Sequence, residues 1–151
     1  MTSYQGSSLV AVKQALRDAF QSAPGLTGVQ VSYSQAGSFV TGDIIFFRGG
    51  DALHHEISMR DGGAFPVTED YRLGVNVQAF SMETAGQEAA DLRAVAMLQE
   101  VIQVVSTNPQ IAGVMMIQIA SWIHHVTEAE AGGSGYISLF EVQLRVRAQL
   151  N

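Results

Sequence analysis

The chain has 151 residues, 47% hydrophobic and 15% charged, with fourteen acids against eight bases and a formal net charge of −6. That is the length of one ordinary domain and leaner in charge than the roughly 25% of an average soluble domain, so a single core over residues 1–151 is expected, with part of the surface covered by something other than water. The charge balance excludes a basic field for collecting nucleic-acid phosphates. The lack of cysteine excludes disulfides, thiolate metal sites and cysteine nucleophiles.

The start, MTSYQGSS, has no basic region leading into an apolar run, and no apolar stretch approaches bilayer length. A soluble, unexported chain with no membrane partner is expected. Residues 8 to 22 then place Leu9, Val12, Leu16, Ala19 and Phe20 on one helical face, with Lys13, Gln14, Arg17, Asp18 and Gln21 around the other. Ser7 or Ser8 supplies a cap, and Pro24-Gly25 a stop. Strands are expected at about 28 to 34, 42 to 48, 54 to 60 and 69 to 81, with turn chemistry at Asp61-Gly62-Gly63.

A second helix opens at Thr84-Ala85-Gly86-Gln87, which has capping-box spacing, and runs to about Ser106 with Leu92, Val95, Leu98, Ile102 and Val105 as its buried stripe. Both helices end in one phrase, Ser/Thr-x-Pro-x-Leu/Ile-x-Gly-Val, at Ser22 to Val29 and at Thr107 to Val114. Proline stops the helix, the aliphatic residue anchors the turn, and glycine permits the bend into a strand. The last two strands are expected at 113 to 127 and 135 to 149, joined through the flexible segment AGGSG, residues 131 to 135.

Alternation separates two kinds of strand. Tyr71, Leu73, Val75, Val77 and Ala79, and again Phe140, Val142, Leu144, Val146 and Ala148, are apolar at every second position, with Arg72, Asn76, Gln78, Glu141, Gln143, Arg145 and Arg147 between them. These read as half-buried antiparallel strands with a wet side. IIFF, residues 44 to 47, and VMMIQIASWI, residues 114 to 123, are apolar on both parities. Two helices cover one face of a sheet, so the reading is an α+β fold with a largely antiparallel sheet of about five to six strands and two main helices on one face. The leftover apolar surface is expected at Phe46 or Phe47, Met116 and Trp122. Either loops fold over it or another subunit does.

The four histidines stand in two pairs, in LHHEI (His54, His55) and WIHHV (His124, His125). A zinc site needs three or four ligands converging at about 2.0 to 2.2 Å. Neighbours on a strand face opposite ways, so each pair offers one histidine to a given side, and the best set is His54, Glu56 and one of His124 or His125. Solvated or interface histidines are the favoured reading, with no metal, no cofactor and no catalytic residue expected. Ser58 near His54 and Asp51 makes no triad by sequence alone, and the glycine pairs lack a following Lys-Ser/Thr. Glu69 and Asp70 read as the start of a strand at a solvated corner rather than an acid/base pair.

The order of elements carries a resemblance. The helix ending AFQSAPGLTGVQV, the strand EDYRLGVNVQAF, the helix EAADLRAVAMLQEVIQVV, the joint STNPQIAGV and the last strand FEVQLRVRAQL together resemble the tail terminator proteins of long-tailed bacteriophages, especially those infecting actinobacteria. The resemblance spans nearly the whole chain. It implies a non-enzymatic virion protein, assembled in the host cytoplasm. It also implies a homo-oligomer, a six-membered ring at the head-proximal end of the tail, that caps the tube, stops its polymerisation and meets the head–tail connector, with DNA passing through the lumen unbound. Phe46, Phe47, Met116, Trp122, His124, Glu141, Gln143, Arg145 and Arg147 would then lie at subunit or partner contacts. A head–tail connector adaptor is the alternative within the virion. A small enzyme or ligand-binding domain using the histidine pairs is the alternative outside it.

Overall fold

The structure, a computed structural model, describes residues 3–4, 6–34, 42–48, 56–59, 67–82, 86–128 and 135–150. In chain order the elements are β1 (Ser3–Tyr4), α1 (Leu9–Ser22), β2 (Gln30–Ser32), β3 (Ile44–Phe47), β4 (Glu56–Met59), β5 (Val67–Met82), α2 (Gly86–Thr107), β6 (Met116–Glu128) and β7 (Gly135–Leu150). The expected Thr84–Ala85 cap, the Asp61–Gly63 turn, His54 and His55, and most of AGGSG lie outside the described residues.

Sixteen-residue strands β5 and β7 pair antiparallel along their whole length, from Val67 opposite Leu150 to Met82 opposite Gly135. Their alternation decides the rest. Tyr71, Leu73, Val75 and Val77 stand opposite Val146, Leu144, Val142 and Phe140, so both apolar sets share one face and both helices pack on it. β3 and β4 continue along the outer edge of β5, β2 lies outside β3, and β6 lies outside β7 with β1 beyond it on the same edge. The described residues form a seven-stranded sheet, antiparallel except for the β1–β7 and β2–β3 pairs.

Helix α1 buries Val12, Leu16 and Phe20 completely, as the spacing predicts, each worth roughly 1.5–3 kcal/mol. Its N-terminus is held differently from expectation. Ser7 Oγ accepts from Leu9 N at 3.2 Å, but Ser8 turns inward and both serines bond to Glu69 on β5. In both helix-stop phrases a 3-10 turn follows the helix, Pro24–Leu26 in one and Ile111–Gly113 in the other. The equivalent glycines, Gly28 and Gly113, have φ of +85° and +77°, the left-handed conformation that glycine adopts without steric cost. Leu26 is buried and Ile111 packs against the core, so the aliphatic residue of the phrase does the anchoring.

Helix α2 corrects its expected stripe. Ala90, Ala94, Met97, Leu98, Val101, Val104 and Val105 are buried, whereas Leu92 is 65% and Val95 42% exposed. The buried positions recur at i, i+3 and i+4 and form one continuous arc, small at its Ala90–Ala94 start and larger from Met97 on, and Leu92 and Val95 fall on the opposite side. Arg93 tethers the helix to the sheet, pairing with Asp43 and donating to Phe80 O at 3.1 Å.

β6 explains its two-parity apolarity by a bulge. Ile119 stands opposite Leu144 and Ser121 opposite Gln143, which leaves Ala120 as the extra residue. Ile117 and Ile119 before the bulge, and Trp122 and His124 after it, therefore share the helix side, while Met116, Gln118, Ser121, Ile123 and His125 share the other. IIFF departs from the expectation of a spare surface: Ile44, Ile45, Phe46 and Phe47 are all buried. Ile45 and Phe47 join the core beneath the helices, and Ile44 and Phe46 are covered on the other face.

Candidate interaction surface

Strand β6 brings the candidate residues together. It is paired on one side by β7, and its outer edge meets no strand among the described residues. Trp122 is 48% exposed on the helix side, and Met116 and Ile123 are exposed on the other. A long apolar edge strand is a template for another chain unless something blunts it. Above it, α2 presents Leu92 and Val95. An open groove of about 420 Å³ runs between the end of α2 and the start of β6, lined by Ile102, Val105, Pro109, Ile117, Ile119 and Trp122. Ser106 and Gln118 supply its polar side chains, few for orienting a small ligand. Phe46 and Phe47, inside the chain, add nothing to this surface.

The second histidine pair splits as alternation requires. His124 stacks on Phe140 at 4.4 Å on the helix side, and His125 lies 3.5 Å from Glu141 on the other. Around His124, Nε2 sits 2.7 Å from Ser138 Oγ and 3.8 Å from an Asp91 oxygen. Ser, His and Asp are thus neighbours, but a nucleophilic relay needs serine and aspartate on opposite ring nitrogens, and here both face the same one. Ser138 is also completely buried. A hydrogen bond from Gln87, then one from Ser138, with help from the His124 charge, holds the Asp91 carboxyl below its ordinary range against the opposing effect of burial. The cluster joins α2 to the β6–β7 pair. No group of three metal-ligating side chains occurs among the described residues.

On the sheet face away from the helices lie Glu141, Gln143, Arg145 and Arg147, together with Arg48, Asp70 and Arg72. Arg48 lies across Gly74, where a Cβ would come within 2.8 Å of its guanidinium, to reach Glu141 at 3.1 Å. Arg145 grips Asp70 with two prongs, 3.2 and 2.7 Å, while Arg147 stands 3.7 Å away. These hydrogen bonds, aided by the charges of Arg147 and Arg72, hold the Asp70 carboxyl below the ordinary range although burial opposes it. Glu69, one residue earlier, faces the helices and is 1% exposed, so the expected solvated corner is wrong for it and the two acids are no pair.

The geometry meets a known fold at full length. Against a chain in the structure titled "Virion of native gene transfer agent (GTA) particle", the TM-score is 0.61 with 10% sequence identity, over 96% of this chain and 99% of that one. This chain shares a fold with a virion component. No family model matches the chain, and no curated protein does. No helix among the described residues is long and apolar enough to cross a membrane.

Leu92, Val95 and Asp91 belong to this surface and escape a reading based on one stripe per helix. Their exposure follows from the seven buried positions between Ala90 and Val105, which recur at i, i+3 and i+4 and so turn the opposite side of α2, Leu92 and Val95 included, outward.

Proposed function

We propose that the chain is a virion structural protein, without catalysis, that assembles as a hexameric ring, caps the head-proximal end of a phage tail tube and offers the head–tail joining surface. The observation that carries this reading is the whole-length likeness to a chain of a gene transfer agent virion. The shared unit spans 96% of this chain and 99% of that one, so the likeness is one of whole folds and not of a single motif. The element order that resembles tail terminators supports the finer assignment. So does the surface: its apolar residues lie on an open edge and an outward helix stripe, which suits protein–protein contact. Net negative charge suits a lumen through which DNA slides.

Growing tail tubes mixed with the purified protein provide the test. Electron microscopy should find a six-fold ring on one end of each tube, and tube length should stop increasing on addition. Binding to connector-bearing heads with no effect on tubes would replace the terminator by an adaptor, and activity toward neither would sink the virion role.

A further inference from the structure

The sheet has two different ends. The outer edge of β6, thirteen residues long, and the outer edge of β2 both lack a neighbouring strand among the described residues. At the β6 end, exposed Trp122, Met116 and Ile123 flank the edge on both faces, and Leu92 and Val95 project from α2 beside exposed Glu88 and half-exposed Asp91. Arg93, the basic residue there, is engaged with Asp43. At the β2 end the charge reverses. α1 packs on β2, with Gln21 donating to Val31 O at 3.4 Å, and carries Lys13 over the Tyr33 ring at 3.8 Å and Arg17, whose ion pair with Asp18 at 3.2 Å lies at the surface where a second acid can compete for it, with Val10 54% exposed.

We propose that the β6 edge and the Leu92–Val95 stripe of one copy seat the β2 edge and α1 of a second copy, head to tail. The helices lie on one face of the sheet. Continuing the sheet from β6 into the neighbour's β2 therefore sets the neighbour's α1 beside α2. Val10 then meets Leu92 and Val95, and Lys13 and Arg17 meet Glu88 and Asp91. Because the two ends differ, every added copy leaves one of each open, and growth stops only when a ring closes. Closure rests on the ring reading above, whereas the pairing of the two edges stands without it.

Complementation tests the geometry. One variant carries Trp122→Asp with Leu92→Asp, and the other Val10→Asp with Arg17→Glu. In sedimentation velocity the wild type should associate as concentration rises, while each variant alone should be weakened by at least about 30-fold, the size of a lost hot spot. Mixed together, the two variants should form a 1:1 dimer and stop, since each retains the end the other lacks. Melting curves check that the variants fold, and Leu92→Asp alone, on an outward helix position, serves if Trp122→Asp does not. A wild type that stays monomeric at every concentration overturns the proposal, as does a Val10/Arg17 variant that associates like wild type, because the contact would then be symmetric through β6 or lie elsewhere. Rings that form by this complementarity but fail to cap tubes leave the edge pairing intact and remove the terminator role alone.

Discussion

Glu69→Ala should destabilise the folded chain by about 3 kcal/mol, from lost hydrogen bonds to a charged group and the buried donors left behind. In a chain of this length that lowers the melting temperature by roughly 6–12 °C. The carboxylate accepts from Ser7 Oγ at 2.6 Å, from Ser8 Oγ at 2.8 Å and from the Ser8 backbone N–H at 3.0 Å. Ser8 Oγ also lies 3.1 Å from Tyr71 Oη; since its one proton goes to Glu69, the tyrosine hydroxyl donates to it. Ser8, Glu69 and Tyr71 are all buried, so water does not simply replace the missing acceptor. A negative charge at the start of α1 further offsets the positive end of the helix dipole. Glu69→Gln keeps one acceptor oxygen and should lose about half as much. Thermal and denaturant unfolding measure both. A loss below about 1 kcal/mol for alanine, the worth of one ordinary cap, would mean that the network does not hold α1 to the sheet.

The position of Glu69 was legible all along. It precedes Tyr71, Leu73, Val75, Val77 and Ala79 at the same two-residue period, so extending the apolar set one step back places it indoors. Its charge argues for solvent, and the local polarity of Glu69-Asp70 outweighs the period when only the strand is considered. What reverses that weighting is a partner sixty-odd positions away: the hydroxyls of the two serines that open α1, with the Ser8 backbone N–H. Long strands and the amphipathic α1 were readable because one period explains each. α2 and β6 were not, for opposite reasons. α2 carries more apolar residues than one face holds, so periodicity alone cannot say which arc goes inward. β6 contains a bulge at Ala120 that switches parity mid-strand, and no residue type announces it. The two-residue β1, paired to the end of β7, is too short to have any period.

Asp70→Ala should cost about 2 kcal/mol at neutral pH, less than a buried ion pair because Arg145 and Arg147 are half in water. Two effects add. The two-pronged bond from Arg145 is lost, and Arg72 is left directly across the strand from Arg145 with Arg147 beside them, like charges that repel at such positions. Salt separates the two, since about 1 M shrinks the screening length to roughly 3 Å and should recover the repulsive part of the loss while leaving the lost hydrogen bonds. pH provides the sharper measurement. The folded Asp70 carboxyl titrates below its ordinary value of 3.8, so its stabilisation is fully present above that value and disappears as pH falls through the lower folded value. Wild type and Asp70→Ala should therefore differ at pH 7 and converge in acid. A gap that persists unchanged below that range would mean the ionised carboxylate is not what holds the arginines. Arg147→Gln, which gives up a loose 3.7 Å contact with Asp70 without setting a second acid opposite it, should by contrast change stability by no more than about 0.5 kcal/mol, the ordinary range of a surface substitution. It is thus the variant with which to ask whether this face meets a partner: any loss of ring or tube binding it causes is a loss of contact and not of fold.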